Sequence, residues 1–187
     1  TLTTYLMAAG SANTLNITAS GNSVIGVINT PSADVTINFD ENGISSNTLT
    51  LNAVTADNVL IESHGLSGSM ADDTIHVTGA VGVKSFDLIK FTDIELYSDL
   101  NSSNAIDFTS SNVLIVDDIQ ISARVIDLAA VNSVNDSSLT LDPRGSLSIG
   151  AINLGAGNLT LNTDPTGSSV SNIDFLGQVD VNELSIT

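Results

Sequence analysis

The sequence predicts an all-β solenoid, a fold in which short strands coil around a narrow core and each coil contacts only its neighbours. Three observations lead to this prediction. Apolar-polar-apolar triplets recur at a nearly constant spacing, turn-forming residues separate them, and Asn, Ser, Thr and Gly interrupt almost every window that could form a helix. Aromatic residues make up only 4% of the 187 residues, so we expect a core of Val, Ile and Leu.

Two sets of triplets alternate in the second half of the chain. The first set is Ile106-Asp107-Phe108, Ile126-Asp127-Leu128, Ile152-Asn153-Leu154 and Ile173-Asp174-Phe175, whose starts are 20, 26 and 21 residues apart. The second set is Leu139-Thr140-Leu141, Leu159-Thr160-Leu161 and Leu184-Ser185-Ile186, at intervals of 20 and 25 residues. A repeat of this length predicts one coil per repeat, and the chain length then gives about eight or nine coils.

Similar triplets occur at less even spacing before residue 100. In Val35-Thr36-Ile37-Asn38-Phe39 the alternation is strict, which predicts a half-buried strand. Residues 83–100 are also predicted to form strands, because Thr, Ile, Phe and Tyr favour strands over helices. Lys84 and Lys90 lie in this segment, and we expect acidic neighbours to face them.

The whole chain, residues 1–187, is predicted to form a single solenoid domain. Its repeats are regular in residues 104–187 and less regular in residues 1–100. The alternation in residues 35–51 also permits a β-sandwich, which is the alternative fold.

Polar segments mark the predicted turns. The stretch from His64 to Asp73 is rich in small and polar residues and predicts a long loop. Asp142-Pro143-Arg144-Gly145 and Asn162-Thr163-Asp164-Pro165-Thr166-Gly167 each follow a Leu-Thr-Leu triplet. Both are predicted to be turns, because proline fixes φ and glycine permits a positive φ.

The charge excludes several classes of partner. The sequence has 4 Lys plus Arg against 21 Asp plus Glu, a formal net charge of −17 at pH 7. This balance argues against binding to nucleic acid or to an anionic membrane surface. The longest apolar runs, such as Val24-Ile25-Gly26-Val27-Ile28, are too short to span a membrane. The absence of Cys excludes disulfides and thiolate metal sites.

The stretch Gly145-Ser146-Leu147-Ser148-Ile149-Gly150-Ala151-Ile152-Asn153-Leu154-Gly155-Ala156-Gly157-Asn158-Leu159-Thr160-Leu161 resembles the repeats of filamentous-haemagglutinin-type exoproteins of bacteria. The resemblance covers about residues 104–187. It implies a right-handed parallel β-helix, secreted to the cell surface, that acts as an adhesin or a stalk. The amino-terminal secretion motif of that family, an Asn-Pro-Asn-Gly type sequence, is absent, so we expect this chain to correspond to the repeat shaft or a terminal piece.

Clustered carboxylates are the candidate metal ligands. Like charges in sequence repel one another unless they are solvated or bridged by a cation. Calcium is therefore the cofactor that the sequence permits, at Asp72 and Asp73 or at Asp117 and Asp118. No catalytic site is predicted, and a structural role is preferred for the histidines, His64 and His76.

The expected function is a non-catalytic structural or adhesive segment of a secreted bacterial surface protein, whose partner is a host or neighbouring-cell surface or a glycan. The alternative is a polysaccharide-binding or polysaccharide-degrading β-helix. In that alternative Asp107, Asp127 and Asp174 would stack as a catalytic ladder, although no Lys or Arg is placed to act as a base.

A second alternative is a subunit of an extracellular filament. Both ends of the sequence read as strands without a capping segment, in Thr1-Leu2-Thr3-Thr4-Tyr5-Leu6 and in Leu184-Ser185-Ile186. We therefore expect either a fragment of a longer coil or end-to-end self-association by strand addition.

Overall fold

The computed structural model describes residues 3–7, 14–40, 46–64, 72–163 and 172–187, with side chains for all of these ranges except 3–7. The described residues contain twenty strands and no helix. The strands are β1 Thr3–Met7, β2 Thr14–Ala19, β3 Ser23–Thr30, β4 Asp34–Phe39, β5 Thr48–Leu51, β6 Val54–Ala56, β7 Asn58–Ser63, β8 Thr74–Val77, β9 Val81–Ile89, β10 Asp93–Leu96, β11 Leu100–Phe108, β12 Asn112–Ile115, β13 Ile119–Leu128, β14 Val131–Ser133, β15 Leu139–Ile149, β16 Ile152–Asn153, β17 Asn158–Leu161, β18 Asn172–Phe175, β19 Val179–Asp180 and β20 Glu183–Ile186. Within these ranges, nothing forms a helix of the length and hydrophobicity needed to cross a membrane.

The strands form three parallel stacks, which we call the first, second and third faces in the order in which the chain visits them. The first face stacks β2, β4, β7, residues 85–89, residues 105–108, residues 125–128, residues 146–149 and β18. The second face stacks residues 23–25, β5, β8, β10, β12, β14, β16 and β19. The third face stacks residues 28–30, β6, residues 81–83, residues 100–102, residues 119–123, residues 139–143, β17 and β20.

One strand segment from each of the three faces, taken in chain order, makes one rung. The described residues form eight complete rungs. Strand β1 lies before them and pairs with β3. Every described pairing is parallel, which confirms the predicted all-β parallel solenoid and its number of coils. The alternative β-sandwich is excluded, because sandwiches are built from antiparallel sheets.

The structure corrects one assignment within the first set of triplets. Ile106, Ile126 and Ile173 lie in one column of the first face, as predicted. The member between Ile126 and Ile173 is Leu147, however, and Ile152 lies on the second face. All three faces require an apolar-polar-apolar pattern, so the pattern alone cannot say which face a triplet occupies. The prediction that the second set occupies equivalent positions is confirmed, because Leu139, Leu159 and Leu184 are in register on the third face.

The predicted turn at residues 142–145 is wrong. These residues lie inside the long strand β15, in which Pro143 pairs with Ala123. Proline adopts the φ of an extended strand, and parallel pairing continues on both sides of it. The chain rounds the corner between the third and first faces through a register shift instead of a tight turn. Gly145 is needed there, since a Cβ at this position would lie 2.7 Å from the carbonyl oxygen of Arg124.

The remaining predicted loops fall partly outside the described residues. Residues 65–71 of the long loop and residues 164–171 of the second turn are not described. The segment 83–100 is built from strands, as predicted: it contains most of β9, all of β10 and the first residue of β11. Both of its lysines have acidic neighbours. The ammonium of Lys84 lies 3.9 Å from Asp57, and that of Lys90 lies 2.6 Å from Glu62.

The core consists of aliphatic columns that run along the solenoid. One inward column of the first face contains Ile37, Ile61, Leu88, Phe108 and Leu128, all buried. Phenylalanines of neighbouring rungs contact one another inside the core: Phe86 and Phe108 pack edge to face at 5.5 Å between centroids. Because each inward residue lies between its equivalents in adjacent rungs, the whole length is buried except at an end.

We predict that the position of a leucine along its column decides its contribution to stability. Leu159 and Leu184 are adjacent in one column, but Leu159 is 0% exposed and Leu184 is 47% exposed. Leu159→Ala should lower the free energy of unfolding by about 2–5 kcal/mol. Leu184→Ala is the matched control and should cost at most about 2 kcal/mol, because its methyl groups already contact water. Urea unfolding followed by circular dichroism measures both, and equal losses would contradict the stacked core.

Candidate functional site

Three aspartates form a continuous column on the outer surface of the first face, which we call the acid column. Asp107 is in register with Asp87 in the rung before it and with Asp127 in the rung after it. Neighbouring strands in a sheet lie about 4.8 Å apart, so the three carboxylates are close neighbours. Ser148 ends the run, and Asp174 follows Ser148 in the same column.

The surroundings of the acid column disfavour full ionisation. Partial burial raises the pKa of Asp87, and the negative charge of Asp107 raises it further. The same two causes, with burial again the larger, raise the pKa of Asp127. Asp107 itself accepts hydrogen bonds from the backbone N–H of Thr109 at 3.0 Å and from its hydroxyl at 2.8 Å.

Sequence reasoning found this column in part. Asp107 and Asp127 were expected to stack and do so, whereas Asp174 is separated from them by Ser148. Asp87 was missed. The signal was present, because Phe86-Asp87-Leu88 has the same apolar-Asp-apolar pattern as Ile106-Asp107-Phe108 and starts 20 residues before it.

Asp72 and Asp73, the first predicted calcium ligands, lie in different environments. Asp72 is exposed, whereas the carboxylate of Asp73 is buried. One oxygen of Asp73 accepts the backbone N–H of Asn47 at 2.9 Å, and the other accepts the hydroxyl of Ser63 at 2.5 Å. Asp73 therefore joins adjacent rungs through donors that the chain itself supplies.

Asp117 and Asp118, the second predicted pair, are both exposed at the corner between the second and third faces. Asp118 accepts the backbone N–H of Ser138 in the next rung at 2.7 Å. Asp99 does the same for Gln120 at 2.7 Å. Carboxylates at this corner thus bind amides that the strands leave unpaired. Among the described residues no group of three His, Cys, Asp or Glu side chains is placed to hold a metal ion, and calcium at either pair stays a prediction.

Both histidines have partners in neighbouring strands. His64 Nε2 lies 3.2 Å from the side-chain oxygen of Asn38, and His76 Nε2 lies 3.1 Å from Glu95 Oε2. Tyr97 donates its hydroxyl to the same oxygen of Glu95 at 2.7 Å. This hydrogen bond to a carboxylate, together with burial and the charges of Glu95 and Asp117, raises the pKa of Tyr97 to about 12. The cluster of His76, Glu95 and Tyr97 lies on the second face, around the corner from the acid column.

These features define the chain as a parallel β-solenoid with polar outer columns. Comparison with protein-family models, with curated proteins and with solved structures finds no match to this chain. The resemblance to filamentous-haemagglutinin-type repeats therefore stays an expectation from the sequence.

We predict that neutralising the acid column stabilises the fold at neutral pH. The raised pKa of Asp127 means that the folded chain binds this proton more tightly than the unfolded chain does. The free energy of unfolding should therefore fall as the pH rises from the ordinary value of 3.8 through the raised pKa. Asp127→Asn removes this loss and should increase stability at pH 7 by about 0.2–1 kcal/mol. The gain should vanish below pH 3.8, where the wild-type carboxyl is protonated.

Thermal unfolding between pH 3 and pH 8 measures this difference. Asp174→Asn is the matched control, since it makes the same charge change in the same column, two rungs from Asp127. We expect the control to have a smaller effect at pH 7. An Asp127→Asn variant that is less stable than the wild type at pH 7 would contradict the repulsion assigned to the column.

Proposed function

We propose that this chain is a non-catalytic structural and adhesive segment of a secreted bacterial cell-surface protein. The observation that carries the proposal is the stack of eight rungs, which makes a continuous rod with columns of mostly polar side chains on its outside. Such a rod holds a surface at a distance and presents repeated polar groups to a partner. The partner would be the surface of a host or neighbouring cell, or a glycan on it.

The composition is compatible with an extracellular location. A rod held together by stacking needs no disulfide, and the sequence contains no Cys. Its net charge of −17 favours solubility and disfavours nucleic acid as a partner. Ser, Thr and Asn occupy outward positions such as Thr36, Thr140, Thr160 and Asn132, where they can hydrogen-bond with water or with sugar hydroxyls.

The arrangement of the acid column favours binding or structure over hydrolysis. Glycosidases need one carboxyl as an acid and a second as a base or nucleophile, and lyases need a positioned base. Burial and the negative charge of Asp107 raise the pKa of Asp87 and of Asp127, whereas Asp107, the carboxylate left to act as a base or nucleophile, is already hydrogen-bonded by the backbone N–H and the hydroxyl of Thr109. Lys84 and Lys90, each three residues from Asp87 in sequence, face Asp57 and Glu62 instead.

A turnover and binding experiment tests this proposal. The purified chain is incubated with acidic and neutral polysaccharides, and reducing ends and unsaturated products are measured beside binding to a glycan array and to cells. We expect binding without turnover. Product formation that is lost in Asp107→Asn or Asp127→Asn would establish the polysaccharide-degrading alternative instead.

A second candidate function, a subunit of an extracellular filament, is favoured by the eighth rung. Leu161 is fully buried by the rung that follows it, whereas its column neighbour Ile186 is 62% exposed. Leu184 and Leu176 are exposed as well. A further rung of parallel strands, whether it belongs to a longer form of this chain or to a second copy, would cover Leu184 and Ile186, and the second case makes a filament.

Electron microscopy with and without a chelator tests the filament. Stacked copies should appear as fibres one solenoid wide, and a double variant Leu184→Ser and Ile186→Ser should shorten them. If divalent cations bridge the carboxylates of neighbouring rods, chelation should also reduce lateral bundling. Monomers under both conditions at high protein concentration would exclude self-assembly of this chain.

A further inference from the structure

The positive charges of this acidic protein are not distributed evenly. The sequence has only 4 Lys and Arg residues, and three of them, Lys84, Arg124 and Arg144, lie at one corner of the solenoid. Each directly follows a third-face segment: residues 81–83 in the third rung, 119–123 in the fifth and 139–143 in the sixth. We call this row the basic corner. Polar Ser103 and Asn104 occupy the same corner in the fourth rung.

Neither arginine of the basic corner is neutralised by a close carboxylate. In the described part of the chain, no Asp or Glu oxygen lies within 4.0 Å of Arg124 or Arg144. Arg124 donates through Nε to the side-chain oxygen of Asn104 at 3.3 Å and is exposed. Arg144 donates through Nη2 to the backbone oxygen of Ser102 at 2.8 Å, two rungs away, which holds its guanidinium along the axis.

The two lysines differ in how closely a carboxylate pairs with them. Lys90, which lies at another corner, forms a 2.6 Å ion pair with Glu62 and lowers the pKa of that carboxyl. Lys84 lies 3.9 Å from Asp57 and its side chain is 55% exposed, so solvent weakens this pair. Asp142 is a further acidic residue in this part of the third face, but its carboxylate is buried and accepts the hydroxyl of Ser122 at 2.7 Å.

A shallow depression of about 380 Å³ adjoins the basic corner. Its polar lining is Thr55, Asp57, Lys84, Asn101 and Ser103, in which Asp57 is the carboxylate that faces Lys84, and Gly82 lies among them. Gly82 occupies an outward position between Thr55 and Asn101 in adjacent rungs, and a Cβ there would meet nothing within 4 Å. The missing side chain opens the column, so a ligand could approach the backbone.

We propose that the basic corner and this depression bind an acidic polysaccharide, with the saccharide chain running along the solenoid axis. The inference rests on the proposed adhesive function and assigns it a ligand class and a site. Lys84, Arg124 and Arg144 pair with the anionic groups, and the planar guanidinium of Arg124 suits a carboxylate or a sulfate. Thr55, Asn101 and Ser103 hydrogen-bond with sugar hydroxyls.

The dimensions and composition of the site favour a saccharide over a nucleic acid. Rungs are spaced by about 4.8 Å, which is comparable with the length of one sugar residue in an extended polysaccharide. Binding to single-stranded nucleic acid relies on aromatic rings for base stacking, and the described lining of the depression has none. Duplex DNA carries one charge per about 1.7 Å, whereas a saccharide with one anionic group per residue carries about one charge per rung, which three cations in the third, fifth and sixth rungs match more closely.

The experiment compares binding of three probes in about 0.15 M salt: oligogalacturonate, dextran sulfate and neutral dextran. Isothermal titration should detect binding of one or both acidic saccharides and none of neutral dextran. Which acidic probe binds distinguishes carboxylate from sulfate recognition. The double variant Lys84→Gln and Arg124→Gln should weaken binding by about tenfold or more, since two charge-assisted contacts are lost. Arg144 is left unchanged because its contact with Ser102 supports the fold.

Lys90→Gln is the matched control, because it removes one positive charge at a different corner. We expect it to bind the acidic saccharides as the wild type does, and circular dichroism verifies that all variants are folded. Equal affinity of the double variant and the wild type would overturn the assignment of this site, while intact binding to cells or glycans would leave the adhesive function standing. Binding of neither acidic probe, or equal binding of a single-stranded oligonucleotide of matched charge, would overturn the inference as well.

Discussion

Parallel pairing in register is the constraint on which the rest of this molecule depends. It places each residue of a rung directly above the equivalent residue of the rung before. Side chains of the same kind at equivalent positions therefore form continuous columns along the solenoid. Aliphatic side chains become a continuous core in this way. In the same way, aspartates at one recurring position form the acid column. One lysine and two arginines at one corner form a positive row on a chain that is otherwise strongly acidic.

Stacking also explains the structural role of the polar side chains at the corners. The strands satisfy their own backbone groups, but the chain must turn three times in each rung, and the amides there lose their regular partners. Asp99, Asp118 and the buried Asp73 accept such amides from neighbouring rungs. An acidic composition can thus serve the fold directly, and carboxylates that look like metal ligands in the sequence are used as acceptors for backbone N–H groups.

The fold class could be predicted from the sequence, because the alternation of apolar and polar residues is a local property of each strand. The assignment of strands to faces could not. Ile152-Asn153-Leu154 and Leu147-Ser148-Ile149 satisfy the same pattern, and only their pairing partners place Leu147 on the first face. Proline and glycine at residues 143 and 145 suggested a turn, yet the corner is rounded within a strand. The basic corner could not be seen in the sequence, because Lys84, Arg124 and Arg144 are 40 and 20 residues apart and meet only through register.

The register shifts at the corner between the third and first faces allow the length of the chain to vary without consequence for the faces. One residue lies between the paired residues 123 and 125, whereas two lie between their partners 143 and 146, and pairing resumes unchanged beyond the extra residue. An insertion at such a corner changes only the corner itself. One residue added within a face would instead reverse the inward and outward positions of every following side chain of that strand. The corners are therefore where this scaffold could accept a grafted peptide, displayed at a chosen height along the rod.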